Sequence, residues 1–365
     1  MKQKVYFPSR FFNGEKFIED KAILTEDGKV EALLSPMEIP EQAEVISLKG
    51  RTIAPAYKEL QIYGGNGKMF SLFPSVESLK ATYDYSLAGG ATAFMATVPT
   101  SGMEIMEAAM DAVYDYWQQG LPGLLGLHLE GPYLNPVKKG AHIEKFIERP
   151  DLAKVKNLIE RGRGTIKMMT IAPERCPDEV IKYLADQDIL LSAGHSNATY
   201  EEAKRGFSLG ITTCTHLFNA MSPFQHRAPG LVGAAFDSEV YSSIIADGVH
   251  VNEAAVRTAS KAIGDRLFFI TDAITEAHTD TYHYILKGDR YVTENGTLAG
   301  SCLTMGSAVQ KAIQMGLGEE EALKKASLIP AKVLEKEKVW GRIAPGYPVD
   351  WILLNNDFSV EGTLD

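Results

Sequence analysis

The chain has 365 residues, of which 45% are hydrophobic and 23% are charged, so it can bury a large core and disorder is not expected. Its 47 acidic residues outnumber its 37 basic residues and give a formal net charge of -10. Because no Lys/Arg run is present to neutralise a line of phosphates, this composition argues against nucleic acid as a partner.

The cysteine content and the lack of a long apolar segment predict a cytoplasmic protein. Cys176, Cys214 and Cys302 are odd in number and widely separated, so they form neither a disulfide framework nor a Cys-x-x-Cys metal clip. The first residues, MKQKVYFPSRFF, lack the apolar core and cleavage site of a secretory signal. No run reaches the roughly 18 apolar residues of a membrane span, so no membrane partner is expected.

The two ends of the chain carry β-rich patterns. In the first fifty residues the runs KVYF, KAILT and KVEALL are separated by Asn-Gly and Asp-Gly, which are strong tight-turn signals. A similar segment, PVDWILLNN, lies close to the C-terminus after a Pro-Gly pair. We therefore expect residues 1–52 and 340–365 to form one small β-sandwich domain built from both termini.

Between these ends, short apolar runs alternate with amphipathic stretches, the pattern expected of βα units. The intervening stretches predict helices, for example at residues 76–87, 104–118 and 253–263. Eight such units favour an α/β fold of the (β/α)8 TIM-like barrel type over residues 53–339, rather than a Rossmann sheet. The eight candidate strands are TIAPAYKELQI, TAFMATV, LLGLHLE, IKMMTIA, ILLSAGH, ITTCTHLF, SSIIADG and RLFFITDA.

Ionisable side chains stand at the ends of several candidate strands, where a barrel collects its active site. Glu130, His195 and His216 form a credible set of three metal ligands, since catalytic zinc sites take three N/O ligands and leave a fourth position for water. A buried carboxylate without a partner is costly, so Glu130 at a strand end implies a nearby cation. By contrast, His128 is interpreted as a structural histidine.

Asp272, in the run FFITDA, is placed to meet a metal-bound water and is a candidate general base. An aspartate at this position could also cap the following helix. The three candidate ligands nearby favour the catalytic interpretation.

The order of these motifs resembles the amidohydrolase superfamily, and within it the N-acetylglucosamine-6-phosphate deacetylases. The resemblance covers nearly the whole chain, and the Glu-Gly-Pro and His-Leu-Phe-Asn-Ala-Met strings carry most of its specificity. The matching segments are APAYKELQIYGGNG, GLHLEGPYLNPVKKGAH, LSAGHSNATYEEA, TTCTHLFNAMSPFQHRAPGLVGAA, IADGVHV, ITDA and AGSCLTM.

The resemblance implies roles for further residues. His142 would hydrogen-bond the acetyl carbonyl as a second catalytic residue, and Met305 would lie near the acetyl group. Arg227 would bind phosphate in its own or a partner subunit's site, which implies a homodimer. The implied substrate-binding residues are His142, Asn219, Ala220, Arg227, His250 and Met305.

The first barrel strand departs from the wider superfamily, which has a His-x-His pair where this chain has Gln61-Ile62-Tyr63. The fourth strand also lacks the lysine that bridges two metals in dinuclear relatives, because Lys167 comes too early. One divalent ion per subunit is therefore expected, with Gln61 as a possible first-strand site residue. Zinc is the expected metal, and iron, cobalt and manganese accept the same ligands.

The function that the resemblance implies is metal-dependent hydrolysis of N-acetyl-D-glucosamine 6-phosphate to D-glucosamine 6-phosphate and acetate, in amino-sugar metabolism. Two alternatives stay open at this point. One is another amidohydrolase, such as a cyclic amidase or a deaminase, acting on a different substrate. The other is a metal-free barrel that serves as a sugar-phosphate binding module.

Overall fold

The computed structural model describes residues 3–279 and 282–364. Its strands are β1 (Gln3–Phe12), β2 (Phe17–Glu19), β3 (Ala22–Glu26), β4 (Lys29–Leu34), β5 (Glu44–Pro55), β6 (Tyr57–Ile62), β7 (Ala91–Pro99), β8 (Leu124–Glu130), β9 (Ile166–Ile171), β10 (Leu190–Ala193), β11 (Thr213–Cys214), β12 (Tyr241–Ile244), β13 (Leu267–Phe269), β14 (Ala277–His278), β15 (His283–Lys287), β16 (Arg290–Thr293), β17 (Leu298–Ser301), β18 (Trp351–Leu354) and β19 (Val360–Leu364).

The α-helices are α1 (Val76–Ala88), α2 (Met103–Gln118), α3 (Leu152–Gly162), α4 (Asp178–Ala185), α5 (Tyr200–Ser208), α6 (Gly230–Phe236), α7 (Glu253–Ile263), α8 (Met305–Gln314), α9 (Glu319–Ala326) and α10 (Leu328–Val333). Within the described ranges, none of these helices has the length and apolar character needed to cross a membrane.

Eight parallel strands, β6 to β13 in sequence order, form the central sheet. The first and last strands meet, because Ile62 and Ala273 form a parallel bridge and the Asp272 backbone N–H donates to the Gln61 carbonyl at 3.0 Å. This closure confirms the predicted (β/α)8 barrel. The helix boundaries differ from the predicted ones by a residue or two, as frayed ends normally do.

The helices bury one face against the barrel. In α4, for example, Val180, Ile181 and Leu184 are buried, at the spacing of a single helical stripe. Acidic residues at its start, Asp178 and Glu179, complement the positive end of the helix dipole. The short amphipathic stretches of the sequence therefore become the outer layer that covers the strands.

Both ends of the chain contribute to a second sheet of seven strands, in the order β19-β18-β5-β1-β3-β4 with β2 paired to β1. Tyr6 and Trp351, from opposite ends of the chain, pack edge to face with ring centroids 5.3 Å apart. The consecutive residues Val5 and Tyr6 belong to separate apolar clusters, one on each face of the sheet. The exact domain limits, 1–52 with 340–365 and 53–339, stay a prediction.

The run TIAPAYKELQI, predicted as one strand, is divided between the two sheets. Its first part belongs to β5, which pairs with β18 in the terminal sheet, and its second part is β6 of the barrel. The break falls at Ala56, whose backbone N–H donates to the Asp350 backbone carbonyl at 2.9 Å. From Tyr57 onward the chain pairs with the barrel. Because the β-propensity is continuous along this run, the sequence does not show where the chain passes from one sheet to the other.

A third, antiparallel sheet of four strands, β14 to β17, was not predicted. It is inserted between the last barrel strand and α8, and we call residues 277–301 the cover sheet. Its signal in the sequence is Asn295-Gly296, a tight-turn pair between two short β-prone runs. The cover sheet matters because it reaches the opening of the barrel.

Candidate active site and metal centre

The candidate site residues stand at the carboxyl ends of the barrel strands. Glu130 is the last residue of β8, and His195 and His216 each follow the end of a strand by two residues. Asp272 lies three residues after β13. His195, His216 and Asp272 all have positive φ (46°, 34° and 55°), a conformation that residues other than glycine rarely adopt. Such outliers concentrate at functional sites.

The three predicted metal ligands come together. Ligand atoms of Glu130, His195 and His216 all lie within 4.8 Å of one another, and all three residues are buried. Glu130 Oε1 lies 3.0 Å from His216 Nε2 and 3.2 Å from His195 Nε2. The two Nε2 atoms are 3.0 Å apart.

The ring nitrogen of His195 that carries the proton shows whether these three residues suit a metal ion. Its Nδ1 lies 2.9 Å from the Lys138 carbonyl, which can only accept, so Nδ1 carries the proton. In the neutral ring the Nε2 lone pair then points toward His216 and the Glu130 carboxylate. Two imidazoles and a carboxylate with their acceptor atoms converging in this way fit a divalent cation, and the backbone contact to Nδ1 is a typical orienting bond of a metal ligand.

Gln61, near the end of β6, and Tyr63, the residue just after this strand, occupy the position of the absent His-x-His pair. Gln61 Nε2 lies 3.0 Å from Glu130 Oε1 and 2.8 Å from Asp272 Oδ1, and its amide oxygen accepts from the Thr215 hydroxyl. The Tyr63 hydroxyl donates to Glu130 Oε2. These residues therefore hold the carboxylates of the site in place.

His142, from the loop after β8, contacts the same carboxylate. Its Nδ1 accepts from the Thr100 backbone N–H at 3.2 Å, so the neutral ring carries its proton on Nε2, 3.0 Å from Glu130 Oε2. Burial, followed by the nearby His195, lowers the pKa of His142 to about 4, which leaves the ring neutral near pH 7. His142 therefore offers an N–H donor to the cleft.

Asp272 is buried beside this cluster, with 9% of its surface exposed. Burial raises its pKa above the usual range, and the positive potential of His216 offsets only part of that increase. A carboxylate that holds a proton more readily than usual is better suited to accept one from water.

These groups line one cleft at the opening of the barrel. Asn219, Ala220 and His250 also line it. His250 Nδ1 is 2.6 Å from Asp247 Oδ2, and Asp247 Oδ1 accepts two backbone N–H groups of the same turn. Asp247 therefore fixes the ring of His250 and leaves Nε2 for the cleft.

Two implied substrate-binding residues do not line this cleft. Arg227 is exposed in the loop before α6, so within one chain it has no place in the cleft wall. Met305 is 2% exposed and belongs to the main hydrophobic core at the start of α8, so its predicted place near the acetyl group is not observed. Lys167 does not line the cleft, and its Nζ atom lies 3.1 Å from Asp188 Oδ2. His128 is fully buried, and its Nε2 atom lies 2.8 Å from the Thr170 hydroxyl.

Several lining residues, most of them apolar, were not predicted from the sequence. Tyr284, Leu298 and Ala299 come from the cover sheet, and Tyr63 was noted only as a departure from His-x-His. Apolar residues of a cleft wall leave no recognisable pattern in the sequence. Those of the cover sheet could have been identified only if that sheet had been predicted. The remaining missed lining residues are Met69, Pro99, Gly140, Ala141, Ile245 and Ile274.

The strand ends of this parallel barrel present one glutamate, two histidines and a buried aspartate. This combination is typical of the class of metal-dependent barrel hydrolases. The model of the amidohydrolase family matches residues 82–364. The chain is 33% identical over 361 residues to the N-acetylglucosamine-6-phosphate deacetylase of Haemophilus influenzae, covering 95% of this chain and 94% of the relative.

Two further similarities agree. The N-acetylgalactosamine-6-phosphate deacetylase of Shewanella sp. strain ANA-3 is 35% identical over 358 residues, covering 94% of this chain and 89% of the relative. The crystal structure of N-acetylglucosamine-6-phosphate deacetylase from Pasteurella multocida superposes with a TM-score of 0.94 at 32% identity, covering 99% of this chain and 98% of the other. The chain therefore belongs to the amidohydrolase family and is a metal-dependent hydrolase of amide bonds.

Proposed function

We propose that the protein hydrolyses the N-acetyl group of N-acetyl-D-glucosamine 6-phosphate, giving D-glucosamine 6-phosphate and acetate in amino-sugar metabolism. The observation that carries this proposal is the convergence of Glu130, His195 and His216 in one cleft with a proton acceptor, Asp272, and a proton donor, His142. The full-length relatives with deacetylase activity support the choice of substrate.

The chemistry requires water to attack a resonance-stabilised amide carbonyl and an amine to leave. Glu130, His195 and His216 would hold a divalent ion, which when bound would lower the pKa of water and polarise the carbonyl oxygen. Asp272 takes a proton from the attacking water and returns it to the departing amine nitrogen. The His142 Nε2–H, which donates to Glu130 Oε2 in the free site, shifts to the carbonyl oxygen as negative charge grows there.

Gln61 prepares this arrangement before substrate binds. Its amide nitrogen contacts both Glu130 and Asp272, so the ligand and the base are held at a fixed spacing. The buried amide keeps its orientation because its oxygen accepts from Thr215. We propose that this is why glutamine serves here in place of an imidazole.

For the phosphate end of the substrate we propose Asn219, Ala220 and His250, which line the same cleft as the metal ligands. Arg227 would reach a phosphate from a partner subunit, since it is exposed and outside its own cleft wall. Its planar guanidinium suits bidentate phosphate binding. A homodimer follows from this assignment.

We propose one metal ion per subunit. Zinc is the first candidate, and iron, cobalt and manganese are alternatives that accept the same ligands. Gln61, Tyr63 and His142 already contact Glu130, which supports a single ion. A cytoplasmic location likewise stays a prediction.

Acetate release from the metal-loaded enzyme tests the function. We expect turnover of N-acetylglucosamine 6-phosphate and much slower turnover of the unphosphorylated sugar. Release of ammonia, or equal turnover of both sugars, would contradict the proposal and favour another amidohydrolase. Stoichiometric sugar-phosphate binding without acetate release would favour the binding module.

The galactosamine epimer is a second candidate substrate, because a relative of 35% identity acts on N-acetylgalactosamine 6-phosphate. Measuring kcat/KM for both phosphorylated epimers in the same preparation separates the two. A higher value for the galactosamine epimer would replace the first candidate without altering the proposed chemistry.

A further inference from the structure

Two histidines that the proposed reaction does not use face each other in the cover sheet. His278 of β14 and His283 of β15 are direct cross-strand partners. The Nδ1 atom of His278 lies 3.0 Å from the Nε2 atom of His283, and the rings are nearly perpendicular, at 87°. Neither histidine lines the cleft.

A carboxylate determines which nitrogen of His283 carries the proton. The Nδ1 atom of His283 lies 3.1 Å from Glu294 Oε1, just beyond the end of β16. Because an ionised carboxylate only accepts hydrogen bonds, Nδ1 is the protonated nitrogen of the neutral ring. The lone pair of His283 is therefore on Nε2, which faces His278.

The same two features occur at the metal centre of the barrel. There too, two imidazole nitrogens are 3.0 Å apart, and the other nitrogen of one ring donates to a fixed oxygen. Histidine with its second nitrogen bound to a carboxylate is a recurrent arrangement around protein-bound metals. The cover sheet therefore reproduces, on an exposed surface, the two imidazoles among the three ligands of the cleft.

We propose that His278 and His283 form a second metal site, for a divalent transition ion such as Zn²⁺ or Ni²⁺, with Glu294 orienting His283. Imidazole nitrogen is a favoured ligand of these ions. The side chain of His283 is 38% exposed and His278 is exposed, so water completes the coordination. The site is open and weaker than the buried one.

An ion at this position links β14 to β15 beside the cleft. Tyr284, the residue after His283, is 4% exposed and lines the cleft wall. An ion that binds only the folded hairpin stabilises it by mass action. The second site therefore holds the wall in place and takes no part in the reaction.

The test is a calorimetric titration of the metal-loaded enzyme with Zn²⁺, repeated with Ni²⁺. Wild-type protein is expected to bind a second equivalent, and the double variant His278→Asn/His283→Asn is expected to lose it while it still releases acetate. Glu294→Gln should weaken the second ion by roughly 10- to 100-fold. His226→Asn, which changes an exposed histidine elsewhere, is the matched control and should keep it.

Either of two results would overturn the proposal. One is a wild-type protein that binds no second ion, and the other is a double variant that still binds it, which would place that ion elsewhere. Both results are independent of the deacetylase activity, which the acetate assay reports separately.

Discussion

Glu130 and Asp272 are two buried carboxylates in one cleft, and their neighbours make them chemically different. Burial raises the pKa of each group. At Glu130 the nearby His195 and the hydrogen bond from His142 outweigh burial, and the pKa lies well below its usual range. At Asp272 burial prevails over His216, and the pKa is raised. Paired carboxylates with opposite shifts commonly divide their roles, which agrees with the proposed roles of Glu130 as a ligand and Asp272 as a proton acceptor.

Asp272→Asn removes the proton acceptor and keeps the shape of the side chain. The Asn oxygen can still accept from Gln61, so folding and metal content should stay near normal. Loss of a general base lowers kcat by roughly 100- to 10,000-fold. Acetate release and elemental analysis of the same sample measure both quantities, and unchanged kcat would remove Asp272 from the mechanism.

Tyr63→Phe tests the contact between the first strand and the metal ligand. Burial, followed by the nearby Glu130, raises the pKa of Tyr63 well above its usual range, so its hydroxyl stays protonated and donates to Glu130. Losing a bond that orients a ligand weakens metal binding by roughly 10- to 100-fold. Competition with a chelator measures this affinity.

The matched control is Tyr284→Phe, which deletes a hydroxyl in the same cleft with no hydrogen bond to Glu130 among the described residues. It should retain the metal as wild type does. Equal retention by both variants would show that Tyr63 does not orient Glu130.

At the scale of elements, the end of β10 is packed too tightly for any side chain before His195. A Cβ atom added at Gly194 would lie 2.4 Å from Thr215 Cγ2 and 2.8 Å from Thr170 Cγ2. Both neighbours are β-branched and stiff, so the strands themselves would have to move. The glycine thus allows neighbouring strand ends to approach each other where the ligands emerge.

Gly194→Ala is therefore expected to destabilise the protein by about 1–3 kcal/mol. It should also lower metal affinity, because His195 follows directly in sequence. Denaturant unfolding measures the stability. Gly362→Ala in β19 is the control, since an added Cβ there meets nothing within 4 Å. Equal stability of the two variants would contradict the packing argument.

Most of the barrel could be predicted from the sequence, because each strand is a short apolar run that ends in a polar residue. Glu130, His195, His216 and Asp272 could be selected because their chemistry is costly to bury without a purpose. The division of β5 from β6 could not be predicted, since hydrogen-bond partners are not encoded in local propensity. Met305 lies in the core, and its sequence could not distinguish this place from a substrate pocket, because a buried methionine has the same signal in both.

At the scale of the whole molecule, Glu59 holds the barrel closed. It is 1% exposed in β6 and accepts the backbone N–H of Gln61 at 2.9 Å and of Thr271, next to the last strand, at 3.1 Å. Burial is the main cause that raises the pKa of Glu59 to about 8. The carboxyl group is therefore protonated in the folded protein near pH 7.

This shift makes stability depend on pH with a definite sign. The unfolded chain releases the Glu59 proton near its ordinary value of 4.5, and the folded protein keeps it to about 8. The folded state therefore binds more protons than the unfolded state in this interval. The contribution of Glu59 to the free energy of unfolding is fully present below pH 4.5 and is lost as the pH rises through about 8.

Glu59→Gln is neutral at every pH and lacks this contribution. The melting temperature of the variant relative to wild type should therefore rise as the pH rises across the interval. Thermal unfolding at several pH values measures the difference, and a constant difference would mean that Glu59 is ionised in the folded protein.

The cover sheet is one unbroken stretch of the chain, whereas the proposed metal ligands and base are distributed over four barrel strands. Exchanging that stretch between relatives would change the shape offered to the sugar while the reacting groups stayed where they are. Selection can thus act on substrate preference and on chemical competence through separate parts of the gene.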